Sequence, residues 1–196
     1  DTDLIVKEAK DYDVIVLLAA IVGDPACSVN EFLTEEINYK AVRNICKSLP
    51  RNKHVIFMST CSVYGVQDGI LNEESRTNPI SLYASTKLRA EKFVQERNGT
   101  IFRLGTVFGL GDTYSRLRMD LVVNVLTMRA IKYGEITING GNQWRPIIAV
   151  KDIASRKDYY QSQYEVDSCQ NYVHKSFCFD HTQTFSVEDS ISGLVS

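Results

Sequence analysis

HVIFMSTCSVYG (residues 54–65), a mostly polar loop, and SLYASTKLRAEK (residues 81–92) form the stretch on which the fold turns. Val55-Ile56-Phe57-Met58 is a continuous apolar run, the pattern of a buried strand. Thr60 stands at its carboxyl end, and in open α/β sheets that end faces the crevice where ligands bind. From Leu82 to Gln95 the spacing becomes helical. Leu82, Leu88, Ala90, Phe93 and Val94 fall on one side, with Arg89, Glu91, Lys92 and Glu96 largely elsewhere. Tyr83 and Lys87, four residues apart, share a face of that helix. An ammonium held near a phenol favours the phenolate and lowers its pKa from about 10. A phenol tuned in this way trades a proton with a substrate hydroxyl near neutral pH. The competing reading is a surface pair: with ten tyrosines, a Tyr-x-x-x-Lys spacing also arises by chance. The order strand, hydroxyl, Tyr-Gly turn, acidic loop and helix favours the catalytic reading.

The 196 residues suffice for one sizeable domain, with ordinary proportions of 44% hydrophobic and 23% charged residues. A net charge of −2 points to neither nucleic acid nor a membrane surface. No apolar run reaches the roughly 18 residues of a transmembrane helix. Five cysteines (Cys27, Cys46, Cys61, Cys169 and Cys178) have no metal-ligand spacing, so no metal is expected. They read as small buried thiols of a reduced, cytoplasmic protein. His174 and His181 read as solvated.

Residues 4–10 have helical character, and Tyr12 to Leu18 reads as a strand covered on both faces. Ala19 and Ala20 follow it; small side chains there admit a cofactor to the backbone, or equally let a helix pack tightly. Gly23-Asp24-Pro25 reads as a turn. A helix is predicted from about Asn30 to Ser48, ended by Leu49-Pro50, with Asn38 inside it. A mid-helix Asn is usually solvated or bonded locally. Asn98-Gly99 reads as a turn, residues 100–104 as a strand, and residues 105–111 as a glycine-bearing loop. Leu117 to Lys132 is predicted helical and Ile136 to Ile138 a short strand.

Thr60-Cys-Ser-Val-Tyr64-Gly65, Glu73-Glu74 and Tyr83-Ala-Ser-Thr-Lys87 together resemble the extended short-chain dehydrogenase/reductase family of NAD-dependent sugar-nucleotide epimerases and dehydratases. The resemblance runs from residue 1 to about 154. It implies an α/β fold: a Rossmann-like, mostly parallel sheet with helices on both faces, and a small irregular C-terminal substrate lobe. The expected division is a partial NAD-binding domain over residues 1–106 and a substrate-binding lobe over 107–196. The catalytic residues implied are Thr60, Tyr83 and Lys87. Tyr83 would exchange the proton, Thr60 would hydrogen-bond the same oxygen, and Lys87 would hold the nicotinamide ribose. Ala19, Ala20, Asn38 and Gly105 would line the cofactor, which is NAD, with NADP as the alternative. Thr106 and Arg145 would contact a nucleotide-sugar substrate; an arginine fork suits a diphosphate. The resemblance also implies a homodimer through the helices around Asn38 and Tyr83.

The chain departs from the family pattern in several places. Leu17 and Ala149 stand where histidines are usual, and Thr106 where Asn is frequent. After residue 155 the match fades, apart from an echo of a closing helix at 185–195. No glycine-rich phosphate loop follows an early strand, and Asp1 falls near the family's acidic position by the adenine. The expected domain is therefore N-terminally incomplete, binding NAD weakly or not at all by itself. Dehydratases of this family carry Asp-Glu directly after the Thr. Cys61-Ser62 are poor substitutes for an acid and a base, which favours an epimerase working through a transient keto intermediate. A nucleotide-sugar reductase or dehydratase and a degenerate, non-catalytic binding module are the alternatives.

Overall fold

The computed structural model describes residues 2–97, 99–109, 111, 118–137 and 146–155. The chain divides into two compact units, Asp1–Leu104 and Gly105–Ser196.

The first unit begins with helix α1 (Thr2–Glu8), a 3-10 turn (Ala9–Asp11) and strand β1 (Val14–Leu17). Helices α2 (Asp24–Val29) and α3 (Glu31–Glu35) follow, then a π-helical turn (Glu36–Ala41) and α4 (Val42–Ser48). Strand β2 (His54–Thr60), a second 3-10 turn (Cys61–Tyr64), α5 (Leu82–Gln95) and β3 (Thr100–Leu104) complete it. The sheet order is β1-β2-β3, all parallel, with Leu17 opposite Phe57 and Ser59 opposite Arg103.

Local chemistry explains the borders. Ser81 is extended, and its side chain accepts from the Ala84 amide at 3.2 Å, capping α5. Pro50 holds Leu49 extended, so α4 ends at Ser48. The carbonyls orphaned at that helix end are taken by Arg97, which is buried. It donates to the carbonyls of Cys46, Leu49, Pro50 and Lys53 at 2.6, 2.8, 2.6 and 3.1 Å. The core joins Val42, Ile45, Cys46 and Leu49 of α4 to Val55 and Phe57 of β2 and to Ala90 and Val94 of α5. Ile15, Leu17 and Ile101 pack on it, as the two-residue alternation of strands requires. Each fully buried residue such as Val55 or Phe57 contributes about 1.5–3 kcal/mol.

Several expectations are corrected. Strand β1 is four residues long and half-buried, while Tyr12 and Leu18 at its ends are exposed. Among the described residues it pairs with β2 alone. Gly23-Asp24-Pro25 starts α2: Gly23 adopts φ 92°, and Pro25 lies in the first turn, where its missing N–H costs nothing. The helix expected over 30–48 contains the π-helical turn, one hydrogen-bond register wider than the helix on either side.

The second unit pairs β4 (Thr106–Phe108) in parallel with β5 (Ile147–Ala149), and contains α6 (Val122–Tyr133). Residues 150–155 are helical. The predicted loop after Gly105 is thus a strand at 106–108, because its amides find a partner strand 41 positions on in the register Thr106 to Ile147. Helix α6 begins later than Leu117 and ends at Gly134, which adopts the left-handed φ of 69°. Ile136 and Thr137 lie outside any strand. Asp1, Asn98, Leu117, Ile138, Arg145, Cys169, Cys178, His174, His181 and the closing segment 185–195 lie outside the described residues.

Candidate active site

Helix α5 packs against β2 and against the 3-10 turn that follows Thr60. Its buried stripe is Ala84, Lys87, Glu91 and Val94, with Thr86 and Ala90 beside it. These positions recur at three- and four-residue steps, so the stripe is helical in period but not apolar. The expectation that Glu91 would lie away from the core is corrected: it is 1% exposed. Leu88 and Phe93 are only half-buried.

Lys87 is 3% exposed. Its Nζ sits 4.4 Å from the centroid of the Phe57 ring, a favourable seat for a cation. Among the described residues it makes no hydrogen bond and no ion pair. Burial lowers its pKa from the ordinary 10.5 to about 8, against the opposing charges of Glu91 and the Cys27 thiol. Tyr83 lies one helical turn earlier and is half-buried.

Thr60 is the last residue of β2 and is buried. Its backbone stays extended, and its Oγ1 accepts from the Ser62 amide at 3.1 Å, capping the 3-10 turn. That bond uses one lone pair and leaves the hydroxyl proton to donate. Phe57 and Ser59 meet α5 through Lys87 and Glu91. Cys61 is half-buried in the turn and Ser62 exposed.

Asn38 is 1% exposed, within the π-helical turn. Its Oδ1 accepts from the Ile21 amide at 2.8 Å, and its Nδ2 donates to the Ile21 carbonyl at 2.9 Å. The loop after β1, with Ala20 half-buried and Ala19 exposed, is thereby fixed to the helix. Cys27, fully buried, donates its thiol to the Ile21 carbonyl at 3.4 Å. Burial raises its pKa despite the Thr34 hydrogen bond and the charge of Lys87. The Asn38 cluster and Lys87 are therefore electrostatic neighbours.

Sequence reasoning missed a second network beneath Lys87. Glu91 accepts from Ser59 Oγ at 2.5 Å and from Arg103 Nη2 at 2.7 Å, with Arg103 Nε at 3.1 and 3.2 Å from its two oxygens. Arg103 Nη1 also donates to the Tyr64 hydroxyl at 3.1 Å and the Glu73 carbonyl at 3.2 Å. One signal was available: an Arg inside an apolar strand, with an acid on the same helix stripe as Ala84 and Lys87.

In the second unit Gly105 has a packing reason for lacking a side chain. A Cβ there would lie 2.6 Å from the Pro146 carbonyl oxygen. The Thr106 amide donates to that same oxygen at 2.8 Å. Among the described residues no group of His, Cys, Asp or Glu could hold a metal ion, and no helix is long and apolar enough to cross a membrane.

Three known proteins illustrate what the chain is similar to. An "Uncharacterized UDP-glucose epimerase YtcB" of Bacillus subtilis (strain 168) is 30% identical over 150 residues, 71% of this chain and 46% of that protein. An N-acetyl-alpha-D-glucosaminyl-diphospho-ditrans,octacis-undecaprenol 4-epimerase of Escherichia coli O157:H7 is 29% identical over 120 residues, 55% of this chain and 36% of that protein. The solved structure of MoeE5 in complex with UDP-glucose and NAD is 27% identical with a TM-score of 0.63, covering 78% of this chain and 54% of that one. The chain thus spans about half the length of such relatives or less. The family model for NAD dependent epimerase/dehydratase proteins matches residues 1–166. With its parallel α/β sheet and its Thr60, Tyr83 and Lys87 in motif order, the chain belongs to the NAD dependent epimerase/dehydratase family.

Proposed function

We propose that the whole protein is an NAD-dependent epimerase of a nucleotide sugar, working through a transient ketone on the sugar ring. The observation that carries the reading is Lys87: a buried ammonium with no oxygen partner among the described residues, one turn after Tyr83. Burial disfavours that ammonium and lowers its pKa to about 8, and a ligand's hydroxyls would offset that cost. The ribose diol of NAD fits that role, and the small residues Ala19 and Ala20 beside the Asn38 clamp leave room at the loop. NAD, when bound, supplies a hydride acceptor that returns the hydride. Tyr83 takes the proton from the sugar hydroxyl and gives it back, and the Thr60 hydroxyl steadies the same oxygen. Lys87 holds the ribose and biases Tyr83 toward phenolate. Gly105, Thr106 and Arg145 enter the proposal from their motifs alone.

Cys61 and Ser62 occupy the 3-10 turn directly after Thr60. A thiol and an alcohol there disfavour elimination of water, so the dehydratase alternative ranks below epimerisation. We also propose a homodimer formed by the helices around Asn38 and Tyr83, supported by exposed Val29, Phe32 and Leu33; light scattering of the wild type and of Phe32→Glu tests it.

The decisive experiment incubates the complete protein with UDP-glucose, UDP-N-acetylglucosamine and catalytic NAD, following inversion at the sugar by proton NMR. Inversion without net NADH supports epimerisation. Stoichiometric consumption of NADH with a carbonyl substrate shifts the reading to a reductase. No turnover with either, at intact fold, leaves a binding module. For this 196-residue span alone, weak NAD binding is proposed; NADH fluorescence titration giving micromolar affinity sinks that part.

A further inference from the structure

Lys87 and Glu91 stand at i and i+4 on α5, a spacing at which opposite charges normally meet. Elsewhere in the chain Glu36 and Lys40, four apart in the π-helical turn with the acid first, pair at 2.5 Å. Lys87 and Glu91 do not pair. Glu91 is instead held by three donor atoms from outside its helix, Ser59 Oγ and the Arg103 Nε and Nη2. The bond to Arg103 is a near-bidentate fork, and Arg103 is itself anchored on the Tyr64 hydroxyl and the Glu73 carbonyl.

We propose that the Arg103–Glu91 pair is a positioning device for Lys87: Arg103 keeps the nearest carboxylate turned away, so the Lys87 ammonium stays available to a bound ligand. The functional meaning rests on the assignment of Lys87 above. The geometry of the pair does not.

The surroundings leave few competing charges. On α2 the group facing Lys87 is the Cys27 thiol. Glu35 of α3 is paired with Arg89, and Glu36 of the π-helical turn with Lys40. Arg43 and Lys47 of α4 lie over the rings of Tyr39 and Phe93. Tyr64 of the 3-10 turn and Arg103 of β3 belong to the pair itself, and β2 presents Phe57 and Ser59. Glu91 is thus the carboxylate that a change at Arg103 would release toward Lys87.

The test uses the chain without cofactor or sugar, labelled with [ε-13C]lysine, and follows Lys87 by NMR titration, assigned by its loss in Lys87→Met. Arg103→Gln should raise the Lys87 pKa by roughly one unit or more, as a freed carboxylate comes within reach. Glu91→Gln/Arg103→Gln, which removes both buried charges, should return it to the wild-type value or lower. Arg103→Lys, keeping the charge but losing the fork, should fall between. Should Arg103→Gln fail to fold, the ordering of Arg103→Lys above the double variant carries the test. A Lys87 titration unmoved by Arg103→Gln, or by Arg103→Lys in its stead, overturns the proposal. An equal rise in the double variant does so too. Because no ligand is present, these outcomes are independent of whether the protein epimerises anything.

Discussion

Asn38 grips Ile21 by both of its main-chain polar groups, accepting from the amide at 2.8 Å and donating to the carbonyl at 2.9 Å. Seventeen positions separate the two residues, and the bond pair ties the loop after β1 to the π-helical turn. The wider turn matters to this geometry, since a π-helical register changes where a side chain points relative to its neighbours.

Asn38→Asp should therefore cost more than its shape suggests. The carboxylate keeps one acceptor but loses the donor, and places a charge where the residue is 1% exposed. Asn38→Leu loses both bonds. Either variant is expected to destabilise the chain by about 2–4 kcal/mol, read from urea midpoints at unchanged m-value. A loss below 0.5 kcal/mol would mean that the loop is held by something else.

Gly65 shows what the Tyr-Gly pair does physically. Its backbone sits at φ 67°, ψ −150°, a region essentially closed to other residues, and a Cβ there would lie 2.0 Å from the Asn78 carbonyl oxygen. The neighbouring amide of Asn78 donates to the Val63 carbonyl at 2.9 Å. Gly65→Ala is expected to destabilise by about 3 kcal/mol or more and to loosen the loop that carries Glu73. A thermal melt within 2 °C of wild type would contradict this.

Much of this was legible from residues alone. The apolar run of β2, the helical spacing from Leu82 to Gln95 and the stop at Leu49-Pro50 each act through local chemistry, so their elements lie where the spacing put them. β4 has no local signal that separates it from a loop, because its pairing with Ile147 is remote in sequence. The π-helical turn has no signature in residue spacing, and the bonds of its Asn38 go to Ile21, seventeen positions away. Apolar periodicity puts Glu91 on the wrong face of α5, because the buried stripe includes Lys87 and Glu91. Buried charge has no periodic signature until its partners, Ser59 and Arg103, are known.

Tyr83→Phe separates chemistry from folding. The residue is half-buried, so deleting one oxygen should change stability by less than about 1 kcal/mol. In the complete protein the same change should lower kcat by about 10²–10⁴-fold, the usual worth of general acid–base catalysis. Comparable turnover in Tyr83→Phe would remove the phenol from the mechanism.

Lys87→Met should stabilise the fold while abolishing turnover. Lys87 titrates near pH 8 in the folded chain, against the ordinary 10.5. Below pH 8 the fold carries an ammonium that burial disfavours. Between about 8 and 10.5 the unfolded chain binds more protons than the native one, so this group's contribution to stability rises with pH across that window. Cys46 acts in the opposite sense: burial pushes its thiol from 9.0 to about 11, and its contribution falls as pH rises through that range. Lys87→Met removes the first effect and keeps the second, along with most of the side-chain stem. Its stability advantage over wild type should be on the order of 3 kcal/mol at pH 7 and shrink toward zero by about pH 10.5. Paired urea titrations at pH 7 and pH 10 measure that difference. An advantage that stays constant with pH, or a variant less stable at pH 7, would show that the ammonium is not held at the expense of the fold.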